Sequence, residues 1–144
     1  MTKRIIYTDP SSGKAVIVTP SPRYTCEQLI ADAKLNPVPD GVSHQILEDT
    51  VFPNDREFRD AWVVDGSIVK EDVAKSKTIA HEKRRIKRKK EFKPHDEIIS
   101  LNIPGDDATA AETARAAIRT KYATMQTNIN NASDIAGINT ALGD

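Results

Sequence analysis

The stretch 71–92, EDVAKSKTIAHEKRRIKRKKEF, contains neither glycine nor proline. Nothing in it breaks a helix, so it reads as one long rod, and a rod needs a surface to pack against. Its apolar stripe is thin: Val73, Ile79, Ala80, Ile86 and Phe92. The seven-residue step from Ile79 to Ile86 suits a narrow, coiled-coil-like seam. Pro94 interrupts the pattern and predicts a kink or a break. DEIISLNI then resumes the helix until PGDD stops it.

GDDATAAETARAAIRTKYATMQTNIN predicts a second long helix, capped by Asp106 or Asp107. Ala111, Ala114, Ile118, Tyr122, Met125 and Ile129 fall on one stripe at helical spacing. SDIAGINTALGD adds a short helix with Ser133 as its cap and Ile135, Ile138 and Leu142 as its apolar face. Two half-apolar rods of this kind leave surface to bury, against each other or against other subunits.

The first half is built differently. Ile5, Ile6 and Tyr7, then Val16, Ile17 and Val18, are two β-runs separated by Asp9, Pro10, Ser11, Ser12 and Gly13, which carry turn chemistry. Thr25 and Gln28 form a capping box for a short helix bearing Leu29, Ile30 and Ala33, which Pro37, Pro39 and Gly41 end. SHQILED predicts a further strand, and FPNDREFRD a turn or short helix with Phe52 and Phe58 inward. Trp62, Val63 and Val64 join Ile68 and Val69 through Asp65-Gly66, a pair suited to a type I′ hairpin. Trp62 reads as a core anchor, because no second aromatic is spaced to stack a neighbouring base. The fold class expected is α+β: an antiparallel β-rich module with one short helix over 1–70, then an α-helical hairpin or coiled-coil segment over 71–144.

Hydrophobic residues make up 38% of the 144 and aromatics 5%, enough for a modest core that partners could complete. Formal net charge is zero, yet residues 71–100 hold 10 basic and 6 acidic side chains. Within 81–93, eight side chains are basic and two acidic. Such a run could hold phosphates, but no nucleic-acid-reading module accompanies it. Electrostatic docking in a protein assembly explains it better. Cys26, the single cysteine, excludes an intrachain disulfide framework and reads as a half-buried filler. No apolar run suits a signal peptide, and none approaches the ~20 residues of a membrane span. A reducing, aqueous compartment follows, in which the Asn131 sequon is silent.

Chemistry-bearing patterns are missing. Gly13-Lys14 is not a phosphate loop, because its spacing is wrong and it leads into a strand. His44, His81 and His95 are not spaced as metal ligands, and the carboxylates lie in charge-mixed runs. No catalytic, cofactor-binding or metal-ligating residue is assigned, no cofactor is implied, and an enzyme is not expected.

One longer pattern stands out. VPDGVSHQILEDTVFPNDREFRDAW followed by DGSIVKEDVAKSKTIAHEKRRIKRKKEF resembles a family of small proteins of tailed bacteriophages and prophages. The shared features are a VP-x-G turn before a strand, a P-x-D-R-x-FR-x-AW block and an Arg-rich helix. Here Pro53, Asp55, Arg56, Phe58, Arg59, Ala61 and Trp62 carry the block. Asp72, Lys75, Ile79, Arg84 or Arg85, and Arg88 can be laid on the helix. The likeness covers roughly residues 35–130, while SLNIPGDD departs from the LD that usually follows the Arg-rich helix. It implies a structural component of a phage virion, at the baseplate or tail-fibre attachment, acting through protein–protein assembly. The alternative is a tail-fibre assembly chaperone, with a nucleic-acid-binding module third. Implied partners are other tail, baseplate or fibre subunits, in multiple copies or as a homo-oligomer. The implied location is the phage tail, after assembly in the host cytoplasm. The Ile118, Tyr122 and Met125 stripe is expected to pack the helical half against itself or against those fibre and baseplate chains.

Overall fold

The computed structural model describes residues 2–143. The chain splits into two compact units, Met1–Asp72 and Val73–Asp144. Its class is α+β, with small antiparallel sheets early and long helices after them.

In the first unit β1 (Lys3–Thr8) is the central strand, flanked antiparallel by β2 (Ala15–Val18) and β3 (His44–Glu48). Successive side chains on a strand point to opposite faces, so Ile5 and Ile6 can both be buried only if both faces are covered. Both are buried. Ile5, in register with Val18 and Ile46, packs with Cys26, Val38 and the helix α1 (Cys26–Ala31). Ile6, in register with Ile17, packs with Trp62 and Val69 of a second sheet. That sheet is the hairpin of β4 (Trp62–Asp65) and β5 (Ile68–Glu71). The β-rich module thus holds two sheets, with the hairpin packed on the central strand's Ile6 face. Cys26 is fully buried, beyond the half-burial expected, and burial pushes its thiol pKa up.

The local chemistry follows the sequence closely. Thr25 accepts from the Gln28 backbone amide, and the Gln28 side chain accepts from the Thr25 amide, which completes the capping box. Pro39 to Val42 close a turn in which Gly41 sits at φ +78, open to glycine and strained for other residues. The hairpin turn differs from the expected one. Asp65 pairs with Ile68 inside the ladder, so the two loop residues are Gly66 and Ser67. Gly66 alone takes a positive φ, +59, which is the glycine-first pattern of a II′ turn. Asp65, held in the strand, makes an ion pair with Lys70 at 2.5 Å.

The second unit contains α2 (Val73–Ser100), α3 (Asp106–Asn131) and α4 (Ile135–Leu142). Glu71 ends β5, so the long helix starts two residues later than composition implied. α2 runs unbroken through Pro94, against the expected kink or break. A helix-interior proline costs about 3 kcal/mol. Contacts to α3 on either side of it offset that cost. Before Pro94, Glu91 accepts from Lys121 Nζ at 2.6 Å and from the Tyr122 hydroxyl at 2.7 Å. After it, Asp96 pairs with Arg115 at 2.9 Å. The Phe92 ring lies 5.2 Å from the Arg88 guanidinium and 6.0 Å from that of Arg115.

Two caps also differ. Gly105, not an aspartate, caps α3, and Asp106 and Asp107 fall in its first turn, where they suit the helix dipole. Asp134 rather than Ser133 caps α4, accepting from the Gly137 amide at 2.7 Å. α4 packs on both long helices through Ile138 and Leu142.

Candidate functional site

The α3 stripe is where the sequence put it, but it faces inward. Ala111, Ile118, Tyr122 and Ile129 are buried, and Ala114 and Met125 are half-buried. It cannot grip a partner, because α2 and α4 already cover it. The α2 side of this seam is the larger surprise. It is not the Ile79–Ile86 line. Ser76, Ala80 and Arg84 are the buried residues, and Ile86 is 68% exposed. Tyr122, 1% exposed, lies between Arg84 and Glu91 of α2, while Lys77 and His81 set the Ser76–Ala80 level against Asn130. Arg84 Nη1 donates to the Tyr122 carbonyl at 3.2 Å. Burial, then the neighbouring Arg85 and Arg88, lower the Arg84 pKa.

Tyr122 is pushed up to about 12, first by burial and then by its hydrogen bond to Glu91. Glu91 in turn is held below the usual carboxylate range by its bonds from Lys121 and Tyr122. At the open end of the hairpin, Lys77 Nζ donates to the Asn130 carbonyl at 2.8 Å, and His81 Nε2 lies 2.9 Å from Asn130 Oδ1.

With the apolar stripe of α3 consumed internally, the outward apolar residues lie elsewhere. Ile86 is one; Leu101 and Ile103, each 66% exposed at the turn between α2 and α3, are two more, with Ile98 beside them at 37%. One outer face of α2 carries Ile86, Lys89, Lys90, Lys93 and Glu97 at helical spacing. Lys89, Lys90 and Lys93 make no hydrogen bond or ion pair among the described residues. Other members of the basic run are engaged: Arg84 inside the unit, Arg85 with Glu82, and Lys87 with the Leu142 carbonyl at 3.1 Å.

The first unit holds a separate feature that local sequence reading missed. Arg4, Asp49, Phe52, Arg56, Arg59 and Trp62 line a cleft of about 280 Å³. Arg4 reaches it because it alternates with Ile5 and so shares the Ile6 face of β1. A turn in which the Arg59 amide donates to the Arg56 carbonyl at 3.1 Å sets those two arginines together. Arg4 Nη2 donates to Asp49 at 3.4 Å, and Asp49 also accepts from the Thr2 amide at 3.1 Å. The Phe52 and Trp62 rings stack with centroids 6.4 Å apart. Four members of the P-x-D-R-x-FR-x-AW block thus meet in space: Pro53, Arg56, Arg59 and Trp62 line the cleft, while Phe58 and Ala61 are buried as core.

His44 lies on β3 and His81 and His95 on α2. Among the described residues, no group of three or more His, Cys, Asp and Glu is placed to hold a metal ion. No described helix is long and apolar enough to cross a membrane. No family model matches the chain, and no curated protein or solved structure matches it. The likeness to tailed-phage proteins therefore rests on the residue pattern alone.

Proposed function

We propose that this chain is a structural component of a tailed-phage virion, near the baseplate or tail-fibre attachment, working through protein–protein assembly. The observation that carries the assembly reading is the exposure of Ile86, Leu101 and Ile103. A helix hairpin that can bury Tyr122 and Ile129 within itself yet leaves three large aliphatic side chains in water retains surface for another chain. Lys89, Lys90 and Lys93 beside Ile86 favour an acidic partner surface. The FR-x-AW block with its following Arg-rich helix supports the phage setting.

The gripping surface is thus the outer face of α2 and the hairpin tip, in place of the α3 stripe. Peptide mass spectrometry of purified virions tests the proposal, with the chain expected among the tail proteins. If it is absent from finished particles but raises the yield of soluble fibre on co-expression, the chaperone reading replaces it. Absence from particles with no effect on fibre removes both. A DNA affinity that falls steeply with salt would instead bring forward the phosphate-binding reading of the basic run.

A further inference from the structure

We infer that the arginine cleft of the first unit binds a carboxylate carried beside an apolar group, with Arg56 and Arg59 holding the carboxylate and the Phe52–Trp62 stack holding the apolar part. This site is independent of the helical surface and of the phage reading.

The charge balance of the cleft favours an anion. Three arginines line it against one carboxylate, and that carboxylate, Asp49, is already engaged by Arg4 and by the Thr2 amide. Arg56 and Arg59 make no side-chain hydrogen bond or ion pair among the described residues, and both are exposed. Planar guanidinium forks match the planar, bidentate geometry of a carboxylate. A singly charged ligand suits the site better than a phosphate, because Asp49 repels a second negative charge brought into the same small volume.

The walls say what accompanies the charge. Phe52, Trp62, Ile17 and Pro53 are apolar, and Thr19 and Asn54 supply neutral polar groups. A volume of about 280 Å³ takes one amino-acid-sized group. Trp62 is 3% exposed, and its buried indole N–H has no acceptor among the described residues. Such an orphaned donor is costly in an interior and is common where a site is completed by something else.

The chain's single tryptophan is Trp62, so its emission reports on the cleft directly. The full chain is titrated with N-acetylphenylalanine, with its amide, with a hexapeptide ending in a free-carboxylate phenylalanine, and with inorganic phosphate. A saturable emission change with the acids and not with the amide is expected. Arg56→Gln and Arg59→Gln should each weaken it about tenfold, the loss of one charge-assisted contact. Lys34→Gln, outside the cleft, should leave it unchanged. Tighter binding of the peptide than of the single residue makes a polypeptide terminus the source, and equal binding makes it a free acid. Saturation by phosphate alone, equal response to acid and amide, equal weakening by Lys34→Gln, or no saturable change with any probe overturns the inference. Circular dichroism of each variant checks that the fold is retained.

Discussion

The central strand of the first unit and the first long helix of the second bury opposite kinds of residue. In the first unit, the interior is Ile5, Ile6, Phe58, Trp62 and Val69, and most charged groups stay at the rim. In the second, the inner face of α2 offers a serine, an alanine and an arginine, while isoleucines and a leucine face water. A β-layered core must fill both faces of its central strand, so large residues go inside wherever they occur. A helix that meets a bulky partner helix needs small residues at the contact, so its own large ones are displaced outward. Ile86 on α2 is left facing water, 68% exposed.

The largest expected effect lies in the first unit. Phe58 is 1% exposed, so Phe58→Ala should cost about 3–5 kcal/mol. Urea denaturation followed by Trp62 emission measures it. A loss under about 1 kcal/mol would mean that this core is not close-packed and would erase the contrast between the units.

Next comes the Tyr122–Glu91 pair. The Tyr122 pKa rises from 10.0 to about 12 in the folded chain, so its contribution is intact below pH 10 and is lost as pH climbs toward 12. Two pKa units on a buried phenol correspond to roughly 2–3 kcal/mol. The thermal midpoint should therefore drop over that window, and Tyr122→Phe should flatten the drop. In a tyrosinate absorbance titration, one of the three tyrosines should ionise last, and Tyr122→Phe should remove that step.

Arg84 yields a smaller effect of opposite sign. Its charge is buried without a carboxylate partner, and its Nε has no acceptor among the described residues. Arg84→Met keeps the long stem and removes the desolvated charge, so it should stabilise the second unit by about 1 kcal/mol. Helix ellipticity against temperature reads this out. A fall in the midpoint would show that the bond to the Tyr122 carbonyl outweighs the cost of burying the guanidinium.

Local signals were the legible ones. The Thr25–Gln28 box, the strands around Ile5 and Val16, and the α3 stripe from Ala111 to Ile129 could all be read within a dozen residues. What escaped depends on residues far apart in the chain. The α2 seam could not be placed from α2 alone, because Ile79–Ile86 is the better apolar line and only the packing of α3 selects Ser76, Ala80 and Arg84. The continuity through Pro94 rests on Lys121, Tyr122 and Arg115 of another helix. The cleft gathers Arg4, Asp49, Arg56 and Trp62 from separate segments, and only the pairing of β1 with its neighbours brings them together. The hairpin turn is a one-residue miss: Asp65-Gly66 and Gly66-Ser67 both supply a glycine, and the ladder register decides between them.

The smallest stability effect is the sharpest test of the contrast. If Ile86 lay in the seam, its replacement by a polar residue would cost what truncating a buried isoleucine costs, about 2–5 kcal/mol. At 68% exposure, Ile86→Gln should change stability by less than about 0.5 kcal/mol. Ile129→Ala in the facing helix, fully buried, is the benchmark that should show the larger loss. The two substitutions should separate again when self-association or partner binding is measured by sedimentation. Ile86→Gln should weaken association in a chain that is as stable as before, because it removes apolar area that only a second molecule could cover. A large stability loss at Ile86 would put it back in the seam, and with that the outer face of α2 would no longer be a surface for assembly.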